Sequence, residues 1–219
     1  STLHWEVDNP DDQTIKIVGI NRNTMSDVDI YNEDGNYVTT TTAQISVQHG
    51  FGNGVEESCE YQREAVRKLF YNLPIHGYAA INMKAVPIIN DAVGGVDVVS
   101  LSDITEDKHD KLIIKEGESV HLMGDYAYWY LRDRDMDEFA SADLRLSRQK
   151  QYLNAFVGQA KSAIKSDLGV VSELYNDVLP YMTTDISFDE VVYLAPEIVN
   201  YSFDDSSFYM IQGETVMGE

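Results

Sequence analysis

Residues 78–100, YAAINMKAVPIINDAVGGVDVVS, contain in succession the patterns of a strand, a helix and a second strand. The segment 78–83 is a short apolar run, and the apolar residues of 85–93 then recur at helical spacing. Gly94 and Gly95 end the helix, because helices commonly terminate at a glycine in the left-handed conformation. The strand 96–100 follows directly. A strand–helix–strand unit of this kind is typical of α/β proteins.

On the N-terminal side of this unit, the patterns predict a hairpin and a helix. Residues 3–7 alternate between apolar and polar, and residues 14–20 are rich in β-branched side chains, which indicates a β-hairpin. A polar stretch, 21–42, contains a tight turn at Asp34–Gly35 and leads to a short helix that ends at Gly50. A longer helix is expected over 55–71, where Pro74 stops it.

On the C-terminal side, apolar spacing predicts four helices, at 125–132, 142–165, 170–182 and 188–200, and a strand at 207–212. Ser187 and Glu190 have the spacing of a capping box at the start of the last helix. The sequence therefore indicates a single α/β domain over residues 1–219, and the antiparallel hairpin at its start makes the central sheet mixed.

The composition excludes several classes of protein. The chain has 219 residues, of which 43% are hydrophobic, so a sizeable core is expected. It has 16 Lys plus Arg against 37 Asp plus Glu, a formal net charge of −21. Such a charge repels polyanions, so nucleic acid is not an expected partner. With Cys59 as its single cysteine, the chain forms no internal disulfide framework.

Arginine is concentrated in one short segment. Of seven arginines, four lie within seventeen residues: Arg132, Arg134, Arg145 and Arg148. The planar guanidinium group matches phosphate oxygens two at a time, so this cluster suggests a phosphate or pyrophosphate site. The alternative is that Arg132 and Arg134 form ordinary surface ion pairs with the acidic residues of 133–138. The spacing alone leaves both interpretations open.

Four motifs occur in the order found in one family. Residues 115–134, KEGESVHLMGDYAYWYLRDR, resemble the LytR-CpsA-Psr segment G-x-x-x-L-x-G-x-x-A-L-x-Y-x-R-x-R. Residues 143–149, DLRLSRQ, resemble its G-R-x-x-R-Q, with Leu144 in place of the glycine. Residues 91–98, DAVGGVDV, match D-A-L-G-G-V-D-V, and residues 21–24, NRNT, stand where the family has P-R-D-T. The chain is thus similar to the LytR-CpsA-Psr family from residue 1 to about residue 213.

The resemblance implies a fold and an activity. The fold would be a three-layer α-β-α sandwich with a mixed central sheet. The activity would be that of a phosphotransferase that moves a glycopolymer, such as teichoic acid or capsular polysaccharide, from a polyprenyl-pyrophosphate carrier to peptidoglycan. Such a domain would work at the extracytoplasmic face of the cell membrane, in the cell envelope, and would be membrane-anchored through a segment outside this chain.

The resemblance also implies site residues. Six residues match the family's pyrophosphate-binding positions: Arg22, Arg132, Arg134, Arg145, Arg148 and Gln149. The first four are also predicted to be catalytic, because phosphoryl transfer requires the diphosphate to be neutralised and held in line with the attacking hydroxyl. The helical faces expected to line a pocket for the prenyl tail contain Val86, Ile89, Val93, Leu153, Phe156 and Val157.

The chain departs from the family pattern where the metal would bind. Ser1 stands at an aspartate position, so the family's first strand and its two metal-binding aspartates are absent from this sequence, and Asn23 replaces another acid. Mg²⁺ is the cofactor expected for the family, and we expect this chain to hold it weakly. Two other functions stay open. One is a non-catalytic module of the same fold that binds polyprenyl phosphate or wall polymer, and the other is an acidic surface or adhesion domain.

Overall fold

The computed structural model describes residues 13–106, 111–133 and 141–211, with ten strands and six α-helices among them. The strands are β1 (Ile17–Gly19), β2 (Met25–Tyr31) and β3 (Tyr37–Gln44), followed after helix α1 (Val55–Leu69) by β4 (Ala79–Ile81). Then come α2 (Val86–Ala92), β5 (Val96–Val99), β6 (Ile104–Glu106), β7 (Lys111–Ile114), β8 (Ser119–Leu122), α3 (Asp125–Arg132), α4 (Ser141–Ser166), α5 (Gly169–Val178), β9 (Met182–Thr184), α6 (Phe188–Ile198) and β10 (Phe208–Met210). Short 3₁₀ turns span Ile45–Phe51, Met83–Ala85, Leu179–Tyr181 and Asp205–Ser207.

The described strands pair two by two. β1 and β10 are parallel, whereas β2 pairs with β3, β4 with β9, β5 with β8 and β6 with β7, all antiparallel. The α/β class is therefore confirmed, and both parallel and antiparallel pairing occur. The three-layer arrangement stays a prediction, as does the assignment of the whole chain to one domain.

The main core lies between β5 to β8 and the helices α3 and α4. It is a cluster of eight buried residues: Val96, Val98, Ile104, Ile114, Leu122, Ala127, Tyr130 and Tyr152. Val96 and Val98 point inward because side chains alternate along β5. Each large apolar side chain buried in this way contributes about 1.5–3 kcal/mol. The core thus fixes α3 and α4, which carry most of the predicted site residues, against the β5–β8 pair.

The two glycines after α2 end the helix as the sequence predicts, and the second also allows a close approach to β8. Gly95 has φ +78°, and a Cβ placed there would lie 2.7 Å from the Leu122 carbonyl oxygen. The carboxylate of Asp91 accepts the backbone N–H of Gly124 at 2.8 Å, immediately before α3. Within residues 78–100, Asp91 therefore connects the end of α2 to the start of α3.

The structure differs from the predicted elements in several places, among them residues 21–42 and the helix expected over 170–182. The polar stretch 21–42 has the expected turn, where Gly35 N–H donates to the Asn32 carbonyl, but it also forms the strands β2 and β3. The helix predicted over 170–182 is shorter, because Pro180 cannot continue an α-helix. A 3₁₀ turn replaces its last part. The first half of the predicted N-terminal hairpin, residues 3–7, lies outside the described residues.

Candidate functional site

Arg132 is the last residue of α3, and its side chain is exposed. Its guanidinium group donates to the hydroxyl of Tyr128, one turn earlier on the helix. The guanidinium carbon also lies 5.4 Å from the centroid of the Tyr128 ring. Stacking on an aromatic ring restricts the side chain of an arginine, so Tyr128 orients Arg132 at the end of α3.

Arg145 lies on α4 and is half-buried. It precedes Arg148 by almost one helical turn, and its positive charge contributes to lowering the pKa of Arg148. The two cations are therefore close to one another. Because α3 packs against α4, three of the predicted arginines, Arg132, Arg145 and Arg148, belong to two helices in contact.

Arg148 is enclosed by protein, with a relative exposure of 3%. One terminal nitrogen, Nη1, donates to the Ser102 hydroxyl at 3.0 Å, and the other donates to the carbonyl of Asp133. The Asp133 carboxylate lies 3.7 Å from Nη1, and the guanidinium carbon lies 5.8 Å from the Tyr130 ring centroid. Burial lowers the pKa of Arg148, although Asp133 opposes this effect.

Gln149 follows Arg148 on α4 and reaches back to the end of α3. It is half-buried, and its side-chain amide donates to the Leu131 carbonyl at 3.4 Å. Gln149 therefore contacts the end of α3 at Leu131, the residue before Arg132. Its predicted contact with pyrophosphate stays a prediction.

Arg22 lies on the turn after β1 and is exposed. The Asn21 side-chain oxygen accepts the Asn23 N–H at 2.9 Å, and the Arg22 carbonyl accepts the Ser46 N–H at 3.3 Å, so the turn is held on both sides. β1 reaches α4 through β10, since Ile17 pairs with Phe208 and Lys150 of α4 lies 5.6 Å from the Phe208 ring centroid.

Binding of one pyrophosphate by all of the predicted arginines requires Arg22 to meet those of α3 and α4 in one cleft, and this convergence stays a prediction. Lys150 of α4 contacts Phe208, which is opposite the first residue of β1, whereas Arg22 follows the last residue of that strand. Arg134, the remaining member of the predicted set, lies outside the described residues.

The six predicted tail-pocket residues are only partly enclosed. Val93 is buried, with a relative exposure of 6%, whereas the other five are half-buried: Val86, Ile89, Leu153, Phe156 and Val157. Their helices α2 and α4 each pack on α3 and on α5. A separate cavity of about 230 Å³ lies between α1 and β4, and its lining contains none of the six.

Among residues 13–106, 111–133 and 141–211, no group of three or more His, Cys, Asp and Glu side chains could hold a metal ion. The described residues thus do not gather a carboxylate group of this size around a Mg²⁺ ion. None of the helices described combines the length and apolar character needed to cross a bilayer.

Sequence reasoning missed the polar contacts behind the arginines. The spacing suggests Asp133 as a surface partner of Arg132 or Arg134, whereas in the structure Asp133 pairs with Arg148. Ser102 and Tyr130 also contact Arg148 and were not singled out. Ser102 lies in a loop forty-six residues away in sequence, and no local pattern identifies it. Tyr130 has a signal in the sequence, because it lies two residues before Arg132 on a predicted helix. In the structure it belongs to the main core and its ring faces Arg148.

Two relatives with a described activity are similar to the chain over most of its length. Polyisoprenyl-teichoic acid–peptidoglycan teichoic acid transferase TagU of Bacillus cereus is 31% identical over 183 residues, which cover 83% of this chain and 54% of the relative. The corresponding transferase TagV of Bacillus subtilis is 26% identical over 185 residues, which cover 83% of this chain and 43% of TagV. The chain thus spans about half the length of the curated relatives it matches.

Solved structures agree on the fold. The crystal structure of Bacillus subtilis TagV has a TM-score of 0.69 at 24% identity, covering 95% of this chain and 75% of that one. A LytR-Csp2A-Psr enzyme from Actinomyces oris has a TM-score of 0.65 at 13% identity, covering 93% and 72%. The family model described as the LytR_cpsA_psr family matches residues 5–218, so the chain belongs to the LytR_cpsA_psr family.

Proposed function

We propose that this domain transfers a glycopolymer from a polyprenyl-pyrophosphate carrier to peptidoglycan, with teichoic acid as the first candidate polymer. The names of relatives such as TagU support this activity and these substrates. The observation that carries the proposal is the grouping of Arg132, Arg145 and Arg148 on two adjacent helices in a chain of net charge −21. A local group of cations attracts an anionic ligand that the rest of an acidic surface repels.

The reaction would need little covalent chemistry from the protein. A hydroxyl of peptidoglycan would attack the phosphorus next to the glycan, forming a new P–O bond. The P–O bond to the second phosphate would break, and the polyprenyl phosphate would leave with the bonding electron pair, while the proton of the hydroxyl passes to water. Arg132 and Arg145 would neutralise the negative charge that builds up on the phosphate oxygens. Arg22 would approach from the end of β1.

The carrier's tail would occupy the space between α2 and α4. Residues of a close-packed core are normally almost fully buried, yet five of the six tail-pocket residues are only half-buried. Val86 and Phe156 pack against the main core while remaining partly open. This arrangement suits a long apolar ligand that completes the packing. We also propose that the domain acts at the extracytoplasmic face of the membrane, where such a carrier would present its glycan.

A non-catalytic module that binds the same carrier is the second candidate. It is supported by Asn23, which places a neutral amide beside Arg22 where the family has an acid. A binding module would retain the arginine contacts to pyrophosphate and release no polyprenyl phosphate. The transferase and the binding module would therefore use the same binding site, and only the transferase would release polyprenyl phosphate.

The test is calorimetric titration of inorganic pyrophosphate into wild type, Arg132→Ala and Arg145→Ala. We expect each substitution to weaken binding by about 1.5–3 kcal/mol, the usual contribution of hydrogen bonds to charged groups. Arg67→Ala is the matched control, since Arg67 lies on α1 and pairs with Glu64 at 2.6 Å. Equal affinities of Arg132→Ala, Arg145→Ala and Arg67→Ala would contradict the site. Release of prenyl phosphate from a short-chain prenyl-pyrophosphate-linked glycan, with a peptidoglycan acceptor present, then distinguishes the enzyme from the binding module.

A further inference from the structure

Asp133, the residue directly after α3, is held from three sides. Its backbone N–H donates to the Trp129 carbonyl at 2.8 Å, which continues the helical hydrogen bonding by one residue. Its carboxylate accepts the backbone N–H of Thr105 at 3.3 Å and the Thr105 hydroxyl at 3.1 Å. Its carbonyl accepts a guanidinium N–H from Arg148. The end of α3 is therefore tied to β6 and to α4 through this one residue.

Arg148 connects the same point to the loop after β5. Its Nη1 donates to the Ser102 hydroxyl at 3.0 Å, and the Ser102 carbonyl accepts the Ser100 hydroxyl at 2.7 Å. The face of Tyr130 supports the guanidinium group, and the Tyr130 hydroxyl donates to Gln151 of α4. Arg148 thus lies in a buried polar layer between α3, α4 and the β5–β6 segment.

The position of this layer matters because Arg132 immediately precedes Asp133. The last carbonyls of a helix lack partners within the helix, and a cation near them is favourable because the helix dipole is negative there. An arginine can serve the Asp133 carbonyl and the Ser102 hydroxyl at once, because its donors form a rigid fork, whereas lysine cannot reproduce this geometry. Fixing Asp133 fixes the backbone that carries Arg132.

Stability alone does not account for Arg148. Burying a charged pair costs desolvation energy, and a well-packed apolar pair of similar volume often stabilises a protein as much or more. At 3% exposure, Arg148 bears this cost, and it does so close to the like charge of Arg145. A requirement for a defined geometry at the end of α3 explains the arrangement.

We propose that Arg148 is a positioning residue, which holds Asp133 and thereby fixes the end of α3 so that Arg132 is aimed at the bound anion. Arg148 therefore acts from behind the site and does not contact the pyrophosphate. The nature of the anion rests on the proposed function, whereas the fixing of the helix end does not.

The first measurement needs no ligand. Amide hydrogen exchange is followed in wild type, Arg148→Lys and Tyr152→Phe. The control Tyr152 is also buried on α4, but its hydroxyl bonds to Asn90 at 3.2 Å, away from Asp133. In Arg148→Lys we expect the amides of Asp133 and Thr105 to exchange at least tenfold faster, with Val98 in β5 unchanged. Tyr152→Phe should leave Asp133 unaffected. Unchanged exchange at Asp133 in Arg148→Lys would overturn the proposal. If Arg148→Lys fails to fold, Ser102→Ala serves the same purpose, because it removes the hydroxyl that holds Nη1 of Arg148.

The second measurement is pyrophosphate affinity, determined where all variants are fully folded. We expect Arg148→Lys to weaken binding about tenfold, and Arg148→Lys combined with Arg132→Ala to bind no worse than Arg132→Ala alone, because Arg148 acts through Arg132. Additive losses would show that Arg148 contacts the anion directly and would overturn the proposal, as would a lowered Tm with unchanged affinity. If wild type binds no pyrophosphate, the proposed function fails, and the hydrogen exchange still decides whether Arg148 fixes the helix end.

Discussion

At the scale of single residues, the ion pair between Asp29 and Lys68 gives a pH-dependent prediction. Partial burial would raise the pKa of Asp29, but the hydrogen bonds from Lys68 at 2.5 Å and Thr40 at 2.7 Å outweigh it and lower the pKa below its ordinary value of 3.8. The stabilisation is therefore complete above pH 3.8 and is lost as the pH falls through the lowered folded-state value.

Replacing Asp29 by asparagine should lower the free energy of unfolding by about 0.5–1 kcal/mol at pH 7, since the pair is partly exposed. The difference from wild type should shrink below about pH 4. Urea denaturation at pH 7, 5 and 3.5 measures it, with Asp27→Asn as the control, because Asp27 is an exposed carboxylate on the same strand. A difference that persists undiminished at the lowest pH would contradict the role given to the carboxylate.

Also at this scale, the sequence identifies candidate residues better than it identifies their environments. Motif order points to Arg132 and Arg145, and the structure places them on adjacent helices. The burial of Arg148 was not predictable, because its partners Ser102 and Asp133 come from other elements and meet it only through tertiary packing. Helical spacing predicts which residues lie on one face of a helix, whereas the partners of that face depend on which elements pack against it.

At the scale of elements, the start of α6 gives a stability prediction. The Ser187 hydroxyl accepts the Glu190 N–H at 3.3 Å, and the Glu190 carboxylate accepts the Ser187 N–H at 2.8 Å, which is a complete capping box. Ser187→Ala should lower stability by about 1 kcal/mol, or by about 2–4 °C in Tm for a chain of this size. Ser162→Ala is the control, because Ser162 is exposed within α4 and alanine favours a helix there. Thermal denaturation of the two variants compares them, and equal Tm values would argue against the cap.

The elements that the sequence predicts have a clear local pattern of residues, whereas the elements that it does not predict lack one. The bounds of α3 and the cap of α6 follow from helical spacing and from a specific side-chain pattern. Strand β3 was missed because its threonine-rich sequence is exposed on both faces, so it has no apolar–polar alternation. Strands β6 and β7 are short. They gain their stability from pairing with each other, which a local pattern does not reveal.

At the scale of the whole molecule, the α/β class follows from the order of strands and helices, whereas the pairing of the strands does not. The parallel pair β1–β10 joins the two ends of the described region, with Ile17 opposite Phe208. Sequence reasoning places a strand at each end but contains no information on their register. The turn that carries Arg22 follows β1 directly, so its position in the fold depends on this long-range pairing.

The net charge of −21 predicts that salt acts in opposite directions on folding and on anion binding. Like charges spread over the surface repel one another and so destabilise the folded state. Salt screens charges that are farther apart than the Debye length, about 10 Å at 0.1 M, so added salt should weaken this repulsion and raise Tm. Contacts between pyrophosphate and the arginines are themselves charge-assisted, so the same salt should weaken binding. Measuring Tm and pyrophosphate affinity from about 20 to 300 mM NaCl tests both, with NaCl replaced by an uncharged osmolyte as the control. A parallel rise of Tm and affinity would mean that repulsion by the acidic surface, and not attraction by the local arginines, governs the approach of the anion.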